Sequence, residues 1–389
     1  MKRQSYDGVV VTAPVSVPYV RYSQETAHWW IARALKQLLD VAGLSPRELD
    51  GFSVSSFTLF PDTPVGLTQH LGLSPRWLDS VPMGGASGVV ALRRAARAVQ
   101  AGDVDVVACV AGDANRIDSF RQLLSSFSRF AMDASYPYGS GGPNASFALI
   151  ADAYMAEYGA TREDFGRIAV AQRANALLYP NAIMKSPLTL EQYLNARPIS
   201  EPFGLFDCVM PCAGAEGFLV MREEEAVSRG LAYARIASTI ERHNAFPEDP
   251  VQLRGGWVMD IDELYEMAEC GPDAIDVLET YDDYPVISMM QFEDLGFCAK
   301  GEGAQFVRDR DLTITGDFPH NTSGGQLSAG QAGAAGGYLG LVEAIRQVTG
   351  QAGGTQVADV KTAMVSGFGM INYDRGLCSS AAILTGAGQ

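Results

Sequence analysis

Residues 82–90 read PMGGASGVV. They stand between a strand-like stretch, RWLDSV, and an apolar helical run, VVALRRAARAVQ. A Gly-rich turn between a strand and a helix is a natural seat for a nucleophile. Backbone N–H groups there point at whatever binds, and the helix N-terminus favours developing negative charge. The centre of this turn is Gly85, and the nearest hydroxyl belongs to Ser87. Ser87 has two readings: a displaced nucleophile, or a cap and packing residue of the helix. The thiol candidates are Cys109, Cys208, Cys212, Cys270, Cys298 and Cys378. Most lie in apolar stretches such as VVACVAG and GFCAKG, as reduced thiols of a cytoplasmic protein do. Cys208 and Cys212 share the stretch DCVMPC, but no histidine stands near them in sequence, so no metal site is expected.

The elements that must carry this turn repeat along the chain. Residues 84–113 and 330–369 share one design. Each opens with a Gly/Ala-rich turn, continues as an amphipathic helix, and closes through Gly into a buried strand, VDVVACVAG or VKTAMVSGFG. Small residues at each helix start let the helix approach a neighbour closely. YDGVVVTAPV, DGFSVSSF, CAGAEGFLVMR, ARIASTIERHN and CSSAAILTG read as further strands. SQETAHWWIARALKQLLDVAG reads as a helix with Ser23 as N-cap and Gly43 as stop, and MDIDELYEMAEC as another. Strands alternating with helices predict a mostly parallel, buried sheet. The two similar halves predict an α/β protein with a pseudo-dimeric five-layered core. The expected division is 1–113 for the first half, 114–205 for an insertion, and 206–389 for the second half. Within the insertion, RFAMDASYPYGSGGPN reads as a loop, and long loops of this kind often serve as lids or binding segments.

Composition agrees with a packed globular chain: of 389 residues, 47% are hydrophobic, 19% charged, and 41 are glycine. The net charge of −16 argues against nucleic acid or an anionic membrane as the main partner. An anionic ligand is still open to a local basic patch. The apolar run after MKRQ is broken by Pro14 and Pro18, so no signal peptide is expected, and no apolar stretch is long enough for a membrane span.

The layout resembles the thiolase superfamily, most of all the degradative branch of sterol-carrier-protein-x type thiolases and steroid side-chain aldolases. The resemblance runs through GGASGVVALRRAARAVQAGD, YMAEYGATREDFGRIAVAQRANAL, FEDLGFCAKGEG and NTSGGQLSAGQAGAAGG, in the family's order. It implies the thiolase fold: two βαβαβ halves in an α-β-α-β-α core with an inserted loop domain. Family members carry a nucleophilic Cys at the first turn, where this chain has Gly85-Ala86-Ser87-Gly88. The family's Gly-His-Pro motif matches Gly330-Gln331-Ala332, and Gln cannot act as a general base. The late Cys-x-Gly motif matches Val365-Ser366-Gly367. The His-Asp-Cys-Phe motif of some branches matches Tyr281-Asp282-Asp283-Tyr284. Every side chain needed for covalent thiolytic chemistry is therefore replaced. Two backbone donors of the family's oxyanion hole, the N–H groups of Gly85 and Gly367, remain available by position.

The resemblance implies coenzyme A thioesters as substrates and no metal. The thiolase-like steroid aldolases lack the nucleophilic Cys and place one catalytic Tyr where this chain has Tyr281 and a second where it has Gln331. Cleavage of retro-aldol type, without a covalent acyl-enzyme, is the leading expectation. Tyr281, Asp283, Gly85, Gly367 and Gln331 are its candidate catalytic groups, and a Tyr base would need a charged neighbour. Ser87, His320, Asn321, Ser323 and Tyr284 are candidate substrate-binding residues. His320 also reads as a structural loop residue, and YDDY as a solvated turn ended by Pro285. Arg121, Arg129 and Arg254 are candidates for the coenzyme A phosphates. An acyltransferase with a displaced nucleophile and a non-catalytic acyl-CoA-binding subunit stay open as alternatives. The resemblance also implies a homodimer, and a small OB-fold, zinc-ribbon partner protein that helps bind acyl-CoA.

Overall fold

The first helix, Ala27–Ala42, forms because Trp30, Ile31, Ala34, Leu35, Leu38 and Leu39 recur on one face, and that face is buried. It stops at Gly43, whose φ of 62° suits glycine and whose N–H donates to the Leu39 carbonyl. Its N-cap is Thr26, not Ser23. The Ser23 hydroxyl oxygen instead accepts from the Glu25 N–H at 3.0 Å, a local turn bond that precedes the helix. The computed structural model describes residues 5–117, 132–133, 136–139, 142–372 and 375–387.

Eleven strands are described: β1 (Val9–Val20), β2 (Gly51–Ser55), β3 (Trp77–Ser80), β4 (Val106–Asp113), β5 (Pro198–Ser200), β6 (Phe203–Gly204), β7 (Ala213–Arg222), β8 (Tyr233–His243), β9 (Val277–Glu279), β10 (Thr362–Asn372) and β11 (Arg375–Gly386). All but β5 and β6 join one sheet in the order β3-β2-β4-β7-β1-β8-β11-β10-β9. Its two halves meet only where Val10–Thr12 of β1 pair with Tyr233–Arg235 of β8. Among the described residues the sheet is mixed, not mostly parallel. Only β2 with β3, β2 with β4, and β9 with β10 run parallel. Alternation of strand and helix in the sequence carries no strand direction once a long excursion intervenes. β7, after such an excursion, inserts antiparallel between β1 and β4.

The helices Ser87–Ala101 and Gly336–Thr349 touch each other and strands of both halves, and so form a central layer. Ala27–Ala42 covers β1, β4 and β7 on one outer side, and Ile261–Ala268 covers β8 and β11 on the other. This is the α-β-α-β-α arrangement. The central crossing is made of backbone. A Cβ on Gly88 would overlap the Gly337 carbonyl oxygen, and one on Gly337 would overlap the Gly84 carbonyl oxygen. That close approach brings the two Gly-rich turns, one from each half, against each other. The segment 114–205 is largely helical where described, with helices Pro143–Tyr158, Arg162–Ala176 and Leu190–Leu194. Most of RFAMDASYPYGSGGPN lies outside the described residues.

Gly88→Ala is expected to lose about 1–3 kcal/mol in urea unfolding, because the central layer has no slack at that contact. Gly66→Ala, inside the Pro64–Leu71 helix with open space around it, is expected to be neutral or stabilising. Equal stability of the two variants would contradict a backbone-tight crossing.

Candidate active site

Above the Gly85 turn lies a partly enclosed pocket of about 130 Å³. It is bounded by the turn at Gly84 and Gly85, the strap from Tyr281 to Tyr284, and the end of β10 from Phe368 to Ile371. Asn144 and Phe147 of the inserted segment, and Cys208 just after it, line other sides of the pocket.

The strap is fixed by polar contacts that the sequence scatters over a loop, two helices and β10. The Thr280 N–H donates to Asn321 Oδ1 at 2.8 Å. Asp282 Oδ1 accepts from the Gln326 N–H at 2.9 Å. The Tyr281 carbonyl accepts from Gln291 Nε2 at 2.7 Å, and the Gln291 side-chain oxygen accepts from Ser366 Oγ at 2.7 Å. Tyr281 is thereby tied through its backbone to β10. His320 belongs to this scaffold and not to the pocket. It is fully buried, its ring packs edge-on against Phe292, and its Nε2 is 2.8 Å from Thr280 Oγ1. Burial drives its pKa down to about 3, so it is neutral.

Tyr281 fills the place of a side chain at residue 85. A Cβ on Gly85 would overlap Cε2 and Cζ of the Tyr281 ring and the Phe368 carbonyl oxygen. The turn is not empty; its nucleophile seat is taken from the other half of the chain. Beside the ring, Gln331 Nε2 donates to Asp283 Oδ1 at 2.7 Å and to the Tyr281 hydroxyl at 3.2 Å. The Gln331 backbone is clamped at both ends, its N–H donating to Met210 O and its carbonyl accepting from Cys212 N, each at 2.9 Å.

The electrostatics separate the two acidic groups. Burial and the nearby Asp283 charge push the Tyr281 phenol well above its usual range. Burial raises Asp283 to about 7, against the lowering effect of a hydrogen bond from Tyr281. Tyr281 therefore stays protonated near neutral pH, where Asp283 can gain or lose a proton.

The other expected site residues divide. Tyr284 lines the pocket, with its hydroxyl 2.5 Å from Asn144 Oδ1. Gly367 does not line it: its Cα faces the Gly85 carbonyl, the Ala86 backbone and Ser380 Oγ. Asn321 and Ser323 line a smaller cavity behind the wall made by Gly85 and Tyr281. Ser87 is buried, its hydroxyl donating to the Val81 carbonyl at 2.9 Å and accepting from the Met83 N–H at 3.1 Å. It shapes the turn and has no access to the pocket. Arg254 is paired with Asp249 at 2.8 Å and packs over Phe246, away from the pocket. Arg121 and Arg129 lie outside the described residues. Asn144 and the Phe368 carbonyl were not anticipated, and no spacing in the sequence marks them; Cys208, one of the thiol candidates, also lines the pocket. Cys208 is pushed up to about 12, chiefly by burial and then by Asp207, so its thiol is not activated. Among the described residues no group of three or more His, Cys, Asp or Glu side chains is placed to hold a metal ion.

Residues 254–380 match the thiolase C-terminal domain-like family. The chain is 32% identical to a steroid side-chain-cleaving aldolase of Thermomonospora curvata over 343 residues, covering 84% of this chain and 86% of that one. It is 31% identical to the 17-hydroxy-3-oxo-4-pregnene-20-carboxyl-CoA lyase of Mycobacterium tuberculosis, covering 82% and 86% of the two chains. In structure it is similar to the Ltp2-ChsH2(DUF35) aldolase, with a TM-score of 0.83, 28% identity, and 98% of each chain covered.

With the nucleophile seat filled, Ser87 engaged and Cys208 protonated, incubation with an acyl-CoA is expected to leave the intact mass of the protein unchanged. An acyl adduct mapping to Ser87 or Cys208 would restore the displaced-nucleophile reading.

Proposed function

The chain belongs to the thiolase superfamily, and on that premise we propose that it is an acyl-CoA carbon–carbon lyase, cleaving β-hydroxyacyl-CoA thioesters by a retro-aldol step. The observation that carries this reading is the occupation of the nucleophile seat by Tyr281 beside a carboxyl group with a pKa of about 7. Such a site has a base and a neutral phenol donor but no place for an acyl-enzyme.

In the proposed step the β-hydroxyl proton passes to Asp283, by way of the Tyr281 phenol. The O–H electrons form the new β-carbonyl. The bond between the α- and β-carbons breaks, and its electron pair moves to the α-carbon and the thioester oxygen as an enolate. The Gly85 N–H is the amide donor assigned to that oxygen, in a setting where such donors contribute several kcal/mol. The proton held by Asp283 then returns to the α-carbon. An aldehyde or ketone leaves, together with a shortened acyl-CoA, with no water or redox partner consumed. Gln331 takes no proton; its amide fixes the distance between Tyr281 and Asp283.

We also infer a small OB-fold, zinc-ribbon partner, a reading supported by the two components named in the Ltp2-ChsH2(DUF35) aldolase. A homodimer and a cytoplasmic location belong to the same reading. All six cysteines are free thiols, and no described helix is long and apolar enough to cross a membrane.

Asp283→Asn is expected to lower kcat by about 10²–10⁴-fold, and Tyr281→Phe by about 10²-fold or more, with aldehyde or ketone release as the readout. Unchanged turnover in both variants would favour a passive acyl-CoA-binding subunit. The base works only when ionised. For the wild type, kcat/KM should therefore fall about tenfold per unit as pH drops below about 7, and level off above it. A profile flat from pH 5 to 8 would remove Asp283 from that role.

A further inference from the structure

The polar side chains of the pocket fall into two groups. Tyr281, Asp283 and Gln331 form the first, which the retro-aldol step uses. Tyr284 and Asn144 form the second, which that step leaves unused. The Tyr284 ring is only 2% exposed and is held between Phe147, at 4.4 Å between centroids, and Phe203, stacked at 4.9 Å and 12°. Its hydroxyl is therefore fixed in direction, and it meets Asn144 Oδ1 at 2.5 Å. Asn144 sits at the start of the Pro143–Tyr158 helix, at the pocket wall. One hydrogen bond joins the two groups. Whichever way the amide faces, the pair keeps at least one N–H donor and one oxygen acceptor beyond that bond. Around it the wall is apolar, contributed by Phe57, Phe147, Val209, Phe368, Met370 and Ile371.

We propose that Asn144 and Tyr284 form a second recognition site, which hydrogen-bonds a carbonyl or hydroxyl oxygen on the part of the acyl group beyond the β-carbon. The proposal rests on the retro-aldol reading for the placement of the acyl group. Its preferred substrates are mainly apolar β-hydroxyacyl-CoAs that carry one further oxygen, and the carbonyl product keeps that oxygen. A wholly hydrocarbon acyl group would set apolar surface against the amide and phenol and strip them of water with nothing in return. A site arranged to bond a substrate oxygen discriminates against the analogue lacking it far more strongly than an apolar pocket discriminates by one methylene.

Binding and turnover separate this proposal from the reaction itself. The probes are 3-cyclohexylpropanoyl-CoA and its 2-, 3- and 4-oxocyclohexyl and hydroxycyclohexyl counterparts. None has a β-hydroxyl, so none can be cleaved, and their affinities can be measured by calorimetry whether or not the protein is a lyase. At least one oxygenated probe is expected to bind tenfold or more tightly than the parent. That advantage should shrink to less than threefold in Tyr284→Phe, which keeps the ring stack, and in Asn144→Ala. Oxygenated probes no tighter than the parent, or an advantage retained in both variants, would overturn the second recognition site. Failure of the wild type to cleave any β-hydroxyacyl-CoA would count against the retro-aldol reading alone.

Discussion

The space over the Gly85 Cα holds either a side chain from the turn or the ring of Tyr281, and the rest of the site follows from that exclusion. A thiol at residue 85 and a phenol at residue 281 cannot coexist without moving the strap. The strap resists movement, since Thr280, Tyr281 and Asp282 are each tied to a different partner: Asn321, Gln291 and Gln326. The Phe368 carbonyl occupies the same volume from the β10 side, so removal of the Tyr281 ring alone would not reopen it. The glycine is thus the receiving half of a contact. Its lack of a Cβ lets a side chain from the second half of the chain reach the helix N-terminus of the first.

The fold makes that contact because its two halves face each other across a layer of two helices. Gly88 and Gly337 let the helices meet at backbone distance, and this sets the two Gly-rich turns side by side. Larger residues at either position would separate the turns and draw Gly85 away from Tyr281. The same close packing excludes water around the strap. Burial is the first cause of the raised values at Tyr281, Asp282, Asp283 and Tyr284. A tight core and a carboxyl group that titrates near neutral pH are consequences of one packing arrangement.

Much of this was legible in the residues. The paired Gly/Ala-rich turns announced two related halves, and the small residues at the helix starts announced their close approach. The motif positions led to Gly85, Tyr281, Asp283 and Gln331, which do converge on one pocket. Strand direction was not legible, because β7 reaches its place between β1 and β4 after a long excursion whose return direction no local pattern records. His320 looked like a pocket residue because a histidine in a loop suggests chemistry. Its burial against Phe292 is a tertiary fact. Gly367 was placed by its motif, yet strand packing against Ala86 and Ser380 leaves it outside the pocket. Asn144 was invisible, because a lone Asn after Gly-Gly-Pro reads as turn chemistry and only the fold sets it against Tyr284.

Gln331 shows why a neutral group suits the position where the wider family has a base. Both of its amide contacts go to the acidic pair, so its geometric role could be played by a cationic donor. A cation at this distance would favour the ionised carboxylate and lower the Asp283 pKa, leaving a weaker base that is charged at all working pH values. An amide donates to the same atoms but adds no net charge, so the pKa stays near the value of about 7 that burial sets. At that value Asp283 can both accept a proton and release it. The proposed retro-aldol cleavage asks for both, since the proton taken from the β-hydroxyl is the one the enolate carbon needs.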